Sequence, residues 1–467
     1  MRKIMILCAG LLFSSGLLAA QTPDKSWTLD DCIRYGLENN ITVKQYELAK
    51  ENQEITVETT RFSRLPDLSA NVGQTFYFGR TPDRDGVYQD QTGSNSSLGI
   101  NTSVNLFSGF RVTNQIKAEK LELQAAVEDL SRAREDLSLS ITGNFLQVLL
   151  SRELYQISLD QLELNRRQVE QTQFLVTGGK SSESDLFDAR SSLAQQQMQV
   201  TDAANNLQLS LLALTQAMNL PHVEGFNVAT PDMEEFTRRE ALGLEQPSGV
   251  YENSVKERPA IKAAAFRLEG SEKVLQAARS AFYPSLRLGA GYSNSYYFNY
   301  SLAAGLSNAS LADQLAQNSA QSVGLSLSIP IFNRMATRNQ VRSARLNIKN
   351  QELMLDKAKQ DLYKEVQQAY YNAVAALEKF KTSEVAVEAA QLAYDFEEQK
   401  YEAGRSNIYT FDQVRLRLST ARSESAQAKY NFLFRARILA FYNGESLVSD
   451  SNVFAILAAA EMSAPPP

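Results

Sequence analysis

The chain has 467 residues, 43% hydrophobic and 21% charged, with 22 Gly, 12 Pro, 2 Cys and 1 His, which excludes collagen-like and disulfide-framework classes and wholesale disorder. A formal net charge of −6 and a pI near 5.3 supply neither the basic footprint of a nucleic-acid binder nor a polybasic membrane patch. With one histidine, His222, there is little room for histidine-based metal or acid–base chemistry.

The chain opens with Arg2 and Lys3, an apolar stretch from Ile4 to Leu18, and small residues at Ala19 and Ala20. This pattern predicts a secretory signal peptide over residues 1–20. Its removal takes Cys8 away and leaves Cys32 alone, so no intrachain disulfide forms. Beyond it, no run reaches the roughly 18 apolar residues of a spanning helix. Thr28-Leu29-Asp30-Asp31 reads as a capping box opening one helix, and the run towards Pro66 forms a second.

After Pro66 the hydrophobic period changes to two. Leu68, Ala70, Val72, Phe76 and Phe78 alternate with Ser69, Asn71, Gly73, Thr75 and Tyr77, and Leu98, Ile100, Val104 and Leu106 alternate with Gly99, Asn101, Ser103 and Asn105. Strands are expected over about 67–79 and 96–107. A polar loop, GRTPDRDGVYQDQTGSN, separates them. Each strand approaches the ~9 to 11 residues that cross a bilayer at a tilt, with one apolar and one small-polar face. Two soluble hairpins packed on a core would give the same alternation.

A heptad follows. Ile141, Val148, Tyr155, Leu162, Val169 and Val176 recur every seventh position, then Leu186, Leu193, Val200, Leu207 and Leu214. From Phe107 to Val176 there is no proline, so one helix of about 70 residues and ~105 Å is expected, returning through a glycine turn as a coiled-coil hairpin over about 108–220. Pro221, Pro231 and Pro247 then mark a small mixed insert over 221–250.

The second half, 251–443, repeats the first. TRFSRLPDLSANVG, with Pro66, returns as ARSAFYPSLRLGAG, with Pro284, 218 residues later. VNLFSGFRVTNQI returns as IPIFNRMATRNQV, and Gly179-Lys180-Ser181 as Gly404-Arg405-Ser406, both 225 residues later, so seven extra residues lie between Pro284 and Phe332. Strands are expected over about 285–298 and 321–332, and a hairpin over about 333–443 whose heptads are Val341, Ile348, Leu355 and Leu362, then Val366, Ala373, Phe380, Val387, Tyr394 and Tyr401. The tail, 444–467, ends in AAAEMSAPPP and reads as equatorial or unstructured. No P-loop, HExxH, nucleophile elbow or cysteine–histidine cluster is present, so neither an enzyme nor a metal or cofactor site is expected. Adjacent carboxylates such as Asp30 and Asp31 or Glu397 and Glu398 read as caps or solvated faces, and His222 as structural.

WTLDDCIRYGLENN, LPDL and YPSL before the strands, NLFSGF and PIFNRM after them, and the turns TGGKSSESDL and YEAGRSNIYTF carry a resemblance over essentially the whole mature chain. In this order the sequence resembles the TolC-type outer-membrane efflux proteins. The resemblance implies an α+β membrane protein with internal duplication: a homotrimer whose chains give four strands each to a 12-stranded β-barrel in outer-membrane lipid. The barrel is continued by a long α-helical coiled-coil barrel with a small mixed equatorial subdomain. It further implies an exit duct of a tripartite efflux pump or type I secretion system in a Gram-negative outer membrane, with a periplasmic adaptor and an inner-membrane transporter as partners and no nucleic acid. Four strands cannot close a wide barrel, and an open edge does not persist in lipid. Two copies would give eight strands, which leave an interior filled by side chains. An exported coiled-coil structural or adhesive protein without channel activity is the alternative from another class.

The resemblance also places a periplasmic aperture at the far ends of the rods. Asp185 falls where the family has a latch aspartate and Tyr401 where it has a tyrosine, while Arg405 lies one place before the usual latch arginine. The family's acidic constriction positions fall on Thr410 and Gln413; Thr410 to Gln413 reads as a capping box, leaving Asp412 as the acidic candidate. Asp185 reads equally as a helix N-terminal charge. The adaptor-contact turns are Gly178, Gly179, Lys180 and Ser181, then Gly404 and Ser406.

Overall fold

The computed structural model describes residues 26–82, 86–222, 224–231, 246–302 and 306–445. The expected signal peptide, residues 232–245 of the insert and the tail beyond 445 lie outside the described residues. In chain order the elements are α1 (Leu29–Asn39), α2 (Ile41–Phe62), β1 (Asp67–Pro82), β2 (Tyr88–Ser108), α3 (Arg111–Thr177), α4 (Glu183–Met218), α5 (Pro247–Glu257), α6 (Pro259–Arg279), β3 (Ser285–Asn299), α7 (Leu311–Gln317), β4 (Ala320–Ser328), α8 (Ala336–Glu402) and α9 (Ile408–Tyr442).

The duplication is visible in backbone geometry as well as in sequence. Gly109 and Phe110 take left-handed conformations (φ 62° and 64°) where the chain leaves β2 for α3, and Arg334 and Met335, 225 positions on, do the same (φ 55° and 65°) between β4 and α8. The rods α3 and α8 are 67 residues each, about 100 Å. The heptad residues named above are buried or half-buried along both rods and along α4, as a coiled-coil seam requires.

The strands form one antiparallel sheet in the order β1-β2-β3-β4. Directly paired residues share a face, so the register assigns the faces. Val72 lies opposite Leu98, Ala70 opposite Ile100, Ile100 opposite Tyr292, and Leu288 opposite both Val104 and Leu325. On the other face Asn71 lies opposite Gly99, Asn101 opposite Gly291, and Gly291 opposite Ser322. The four alternations therefore sum to one apolar and one small-polar surface. On the polar face Asn101 donates to Asn71 (3.1 Å), and Arg287 reaches Asp67 through Ser103 (2.6 and 2.7 Å).

The strands depart from expectation in two places, the tip of the first hairpin and the end of β4. The β1–β2 hairpin pairs up to Pro82 and Tyr88, so β2 begins eight residues before 96; Tyr88 to Asn95 carries turn-type residues, yet both backbones continue the ladder. Conversely, β4 stops at Ser328. Ile329 and Ile331 keep the alternation, but Pro330 has no N–H to donate and the ladder ends before it.

The helices stand in four columns that follow the strand order. In the first, α2 stacks end-on above α4, with Asn40 Nδ2 donating to the Ala217 carbonyl (2.8 Å) and Asn219 Nδ2 to that of Asn39 (3.3 Å). Next comes α3. The third column is α6 above α9, joined where the Arg258 guanidinium lies 3.8 Å over the Phe441 ring and Ser254 donates to the Tyr442 carbonyl. Last is α8. Because α2 leads into β1, β2 into α3, α6 into β3 and β4 into α8, sheet and columns share one lateral order, with β1–α2–α4 on one flank and β4–α8 on the other.

Midway down, α1 and the described part of the insert pack across the columns. Cys32, Ile33 and Leu37 of α1 share one core cluster with Ile141, Phe145 and Leu149 of α3, Leu214 and Met218 of α4, and Phe432 and Leu433 of α9. The Trp27–Val228 bridge and Arg152, whose Nη1 and Nη2 donate to the Val228 carbonyl (3.0 Å) and Asn227 Oδ1 (2.6 Å), tie the insert to the rod. Burial pushes the Cys32 thiol up to about 12, with Asp31 adding to the shift. The thiolate is the nucleophile, so Cys32 should resist maleimide in the folded protein at neutral pH and react once the chain is denatured. Labelling of the native protein at the denatured rate would refute this packing. Among the described residues no helix is long and apolar enough to cross a membrane.

Candidate functional site

The two glycine turns lie at the ends of the rods farthest from the sheet, and they are built alike. At the end of α3, Gly179 (φ 69°) follows Gly178, the Lys180 N–H donates to the Leu175 carbonyl (2.8 Å) and the Gly179 N–H to that of Val176 (3.0 Å). At the end of α8, Gly404 (φ 72°) follows Ala403, the Arg405 N–H donates to the Lys400 carbonyl (2.8 Å) and the Gly404 N–H to that of Tyr401 (2.9 Å). Only a residue tolerant of positive φ closes a helix this way, which accounts for the two glycines. Gly178, Gly179, Lys180, Gly404 and Arg405 are exposed, and Ser181 and Ser406 half-buried.

The next helices start 225 residues apart, at Ser182 and Asn407. Ser182 caps α4, and Asp185 completes a capping box: its Oδ2 accepts from Ser181 Oγ (2.6 Å) and the Ser182 N–H (3.0 Å). Those bonds hold the Asp185 carboxyl below the usual carboxylate range. Within one chain Asp185 is therefore a cap, in agreement with the helix N-terminal reading. In α9 the expected capping box at Thr410 is corrected. Asn407 is the cap, its Oδ1 accepting from the Thr410 N–H (2.8 Å), and Thr410 is the third helical residue. The earlier start follows from the duplication, since Asn407 occupies the position of Ser182.

A depressed carboxylate contributes stability above its unfolded pKa and loses it as pH falls through the folded value. The Ser182–Asp185 turn is therefore expected to open on acidification below about 3.8, the ordinary Asp value. Amide exchange at that turn, corrected for its intrinsic pH dependence, should rise there in the wild type. It should already be raised at neutral pH in Asp185→Ala, and equal protection in both proteins at neutral pH would refute the assignment.

Among the described residues, side chains tie α3 to the second hairpin at three levels on the way down to the turns. Lys429 Nζ pairs with Glu153 (2.7 Å) nearest the equator. Lower, Arg415 Nη2 donates to Asn165 Oδ1 (2.7 Å) and pairs with Asp412 Oδ1 (2.8 Å). Lowest, Gln168 Nε2 donates to Tyr401 Oη (3.3 Å), and Tyr401 stacks on Phe411 at 4.9 Å. Arg415 is 6% exposed, and Asn165, Gln168 and Thr172 are buried beside it. At the equator the same junction is apolar; here it is polar. Burial raises the Asp412 carboxyl above its ordinary range, with Arg415 opposing the shift. Asp412 is thus the partner of an arginine on its own helix. Arg405 sits at the exposed turn and takes no part in these three ties.

Sequence reasoning named Tyr401, Asp412 and Asp185 but missed Arg415, Asn165 and Gln168. A signal was present. Phe411, Leu418, Phe432 and Leu439 form a buried seam on α9, and Arg415, Arg422 and Lys429 recur every seventh residue beside it. Charged residues at such flanking positions select partner helices.

A family model described as outer membrane efflux protein matches residues 33–220 and 250–445. Among curated proteins, the chain is 24% identical over 385 residues to outer membrane protein TolC of Escherichia coli K12, covering 81% of this chain and 74% of that one. It is 23% identical over 290 residues to protein CyaE of Bordetella pertussis, where the match covers 60% of this chain and 56% of that relative. Among solved structures, the Campylobacter jejuni CmeC outer membrane channel superposes with a TM-score of 0.73 at 17% identity, covering 93% and 89% of the two chains.

Proposed function

Because the chain belongs to the outer membrane efflux protein family, we propose that it is the outer-membrane exit duct of an efflux or type I secretion system, assembled from three copies and conducting passively. The observation that carries this reading is that both layers end in open flanks on the same sides. β1 and β4 are sheet edges, and a sheet edge in lipid must be paired. Beneath them, Ile41, Leu48, Ile55 and Phe62 form an exposed every-seventh stripe along α2, more than half accessible at each position. On the opposite flank Leu346 and Leu353 of α8, also seven apart, are exposed. Such stripes are coiled-coil seams awaiting a partner. Joining the α8 flank of one copy to the α2 flank of the next pairs β4 with β1 in the same step. Three copies give twelve strands and twelve columns. The Gly, Ser and Asn face lines the lumen and suits a wide water-filled barrel better than the side-chain-filled interior of eight strands.

Transport through such a duct is passage rather than reaction, and the chain supplies walls and a closure. The polar ties Arg415–Asn165 and Gln168–Tyr401 hold the second hairpin against α3 at the end away from the sheet. Parting them exchanges protein bonds for water, at a net ~0.5–1.5 kcal/mol per bond, whereas parting the equatorial core exposes Phe432, Leu433 and Ile141 at roughly 1.5–3 kcal/mol each. The hairpins are therefore hinged at the equator and separable below. Asp185, Tyr401 and the turns Gly178–Ser181 and Gly404–Ser406 form the rim that meets a periplasmic adaptor, itself bound to an inner-membrane transporter. Planar-bilayer recording tests the duct: purified protein should form large, passive ionic pores, and a protein that assembles into trimers but never conducts would overturn it.

A further inference from the structure

The outer ends of the two edge strands are unequal: β1 has sixteen residues and β4 nine. β4 pairs with β3 only from Ser285 to Ser293, leaving that edge of β3 bare to Asn299 while its other edge stays paired with β2. That bare edge is covered by side-chain amides of the following segment. Asn318 Nδ2 donates to the Ser295 carbonyl (2.7 Å). Gln314 accepts from the Tyr297 N–H and donates to its carbonyl (2.8 Å each). Asn308 does both for Asn299 (2.8 and 2.9 Å). Ser295, Tyr297 and Asn299 alternate, so these amides continue the ladder that β4 leaves off. Gln314 belongs to α7, capped by Ser310, whose Oγ accepts from the Asp313 N–H (3.1 Å).

At ~100° per residue, Ala312 and Ala316 lie on the side of α7 opposite Gln314, Leu311 and Leu315 on one flank, and Asp313 and Gln317 on the other. All six are exposed. Such a helix has the makeup of a wall element: one edge bonded to a strand, one narrow edge of alanines, and one apolar and one polar face. β1 leaves α2 and β4 enters α8 at the same end of the sheet, so β4 of one copy meets the first nine residues of β1 in the next. Residues 76–82 of β1 then reach past it, alongside α7.

We propose that α7 replaces the missing outer part of β4 in the barrel wall, docked through Gln314 on β3 of its own chain and packed through Ala312 and Ala316 along residues 76–82 of β1 in a second copy of this chain. The proposal rests on the three-copy barrel, and its test separates the two. Cysteine pairs are introduced into the full chain, with native Cys32 left buried: Ala316→Cys with Phe76→Cys or Phe78→Cys for the outer seam, and Leu325→Cys with Ala70→Cys or Val72→Cys for the inner seam. A short bis-maleimide should convert monomer to covalent trimer at both seams. Adding Gln314→Ala should abolish cross-linking at the outer seam and leave the inner one intact. Cross-linking at the inner seam alone would overturn the placement of α7 and leave the barrel standing. An outer seam that still cross-links with Gln314→Ala would overturn the docking through Gln314. Cross-linking at neither seam, in a protein that stays monomeric, would overturn both.

Discussion

Arg415→Ala is expected to open the duct. Removing the guanidinium leaves Asn165, 4% exposed, without its 2.7 Å donor, at a cost of about 1 to 3 kcal/mol for an unpaired buried group, and it strips Asp412 of its ion-pair partner. Both losses fall on the closed arrangement, because parted hairpins let water reach the two groups. Since ~1.4 kcal/mol is a factor of ten in a population, three such changes in one assembly should raise conductance several-fold. Asn165→Ala should act in the same direction, and the double variant should add little to either single one, as expected of two partners in one bond. Lys429→Ala, nearer the apolar core, should have the smaller effect. Helicity and trimer recovery are the controls, and Arg415→Ala with unchanged conductance in folded trimers would remove Arg415 from the closure.

Leu48→Glu with Ile55→Glu is expected to abolish assembly without unfolding the chain. Both side chains are exposed in the single protomer, at 63% and 62%, so the protomer loses little, in the range of ±0.5 kcal/mol typical of surface changes. In the assembled tube each leucine or isoleucine contributes roughly 1.5–3 kcal/mol by burial, and a carboxylate in the same place must be desolvated. With the α2 seam lost in all three copies, the expected product is a helical, unassembled chain. The checks are circular dichroism and recovery of heat-resistant trimer. Trimer recovered at wild-type yield would place the seam elsewhere.

Much of this architecture was legible because it is periodic. The switch from period two to period seven and the 225-residue offset fixed the strands, the rods and the order of elements, and the family resemblance placed them in an outer membrane. What escaped was set by single residues in particular surroundings. Pro330 cut β4 short although the alternation ran on through Ile331, and turn-type residues from Tyr88 to Asn95 continued the β2 ladder because a partner backbone was already in place. α7 was hidden between the strands expected over about 285–298 and 321–332, since seven residues leave no measurable period and its anchor is one glutamine side chain. At the rod ends Tyr401 was named through the family resemblance, matched on the glycine turn beside it. Arg415 was legible only as one of three charges spaced by seven beside the α9 seam; its bond to Asn165, 250 positions away in sequence, was not. The capping box assigned to Thr410 failed for a related reason: Asn407 lay at the repeat position of Ser182 and was the better cap.

The central claim is that three open-edged chains close one conducting wall. Native mass spectrometry of the mature protein extracted from outer membranes in mild detergent tests it most directly. The account predicts a single species of three chains, with neither two nor four represented. A monodisperse single chain, stable without detergent, would contradict it.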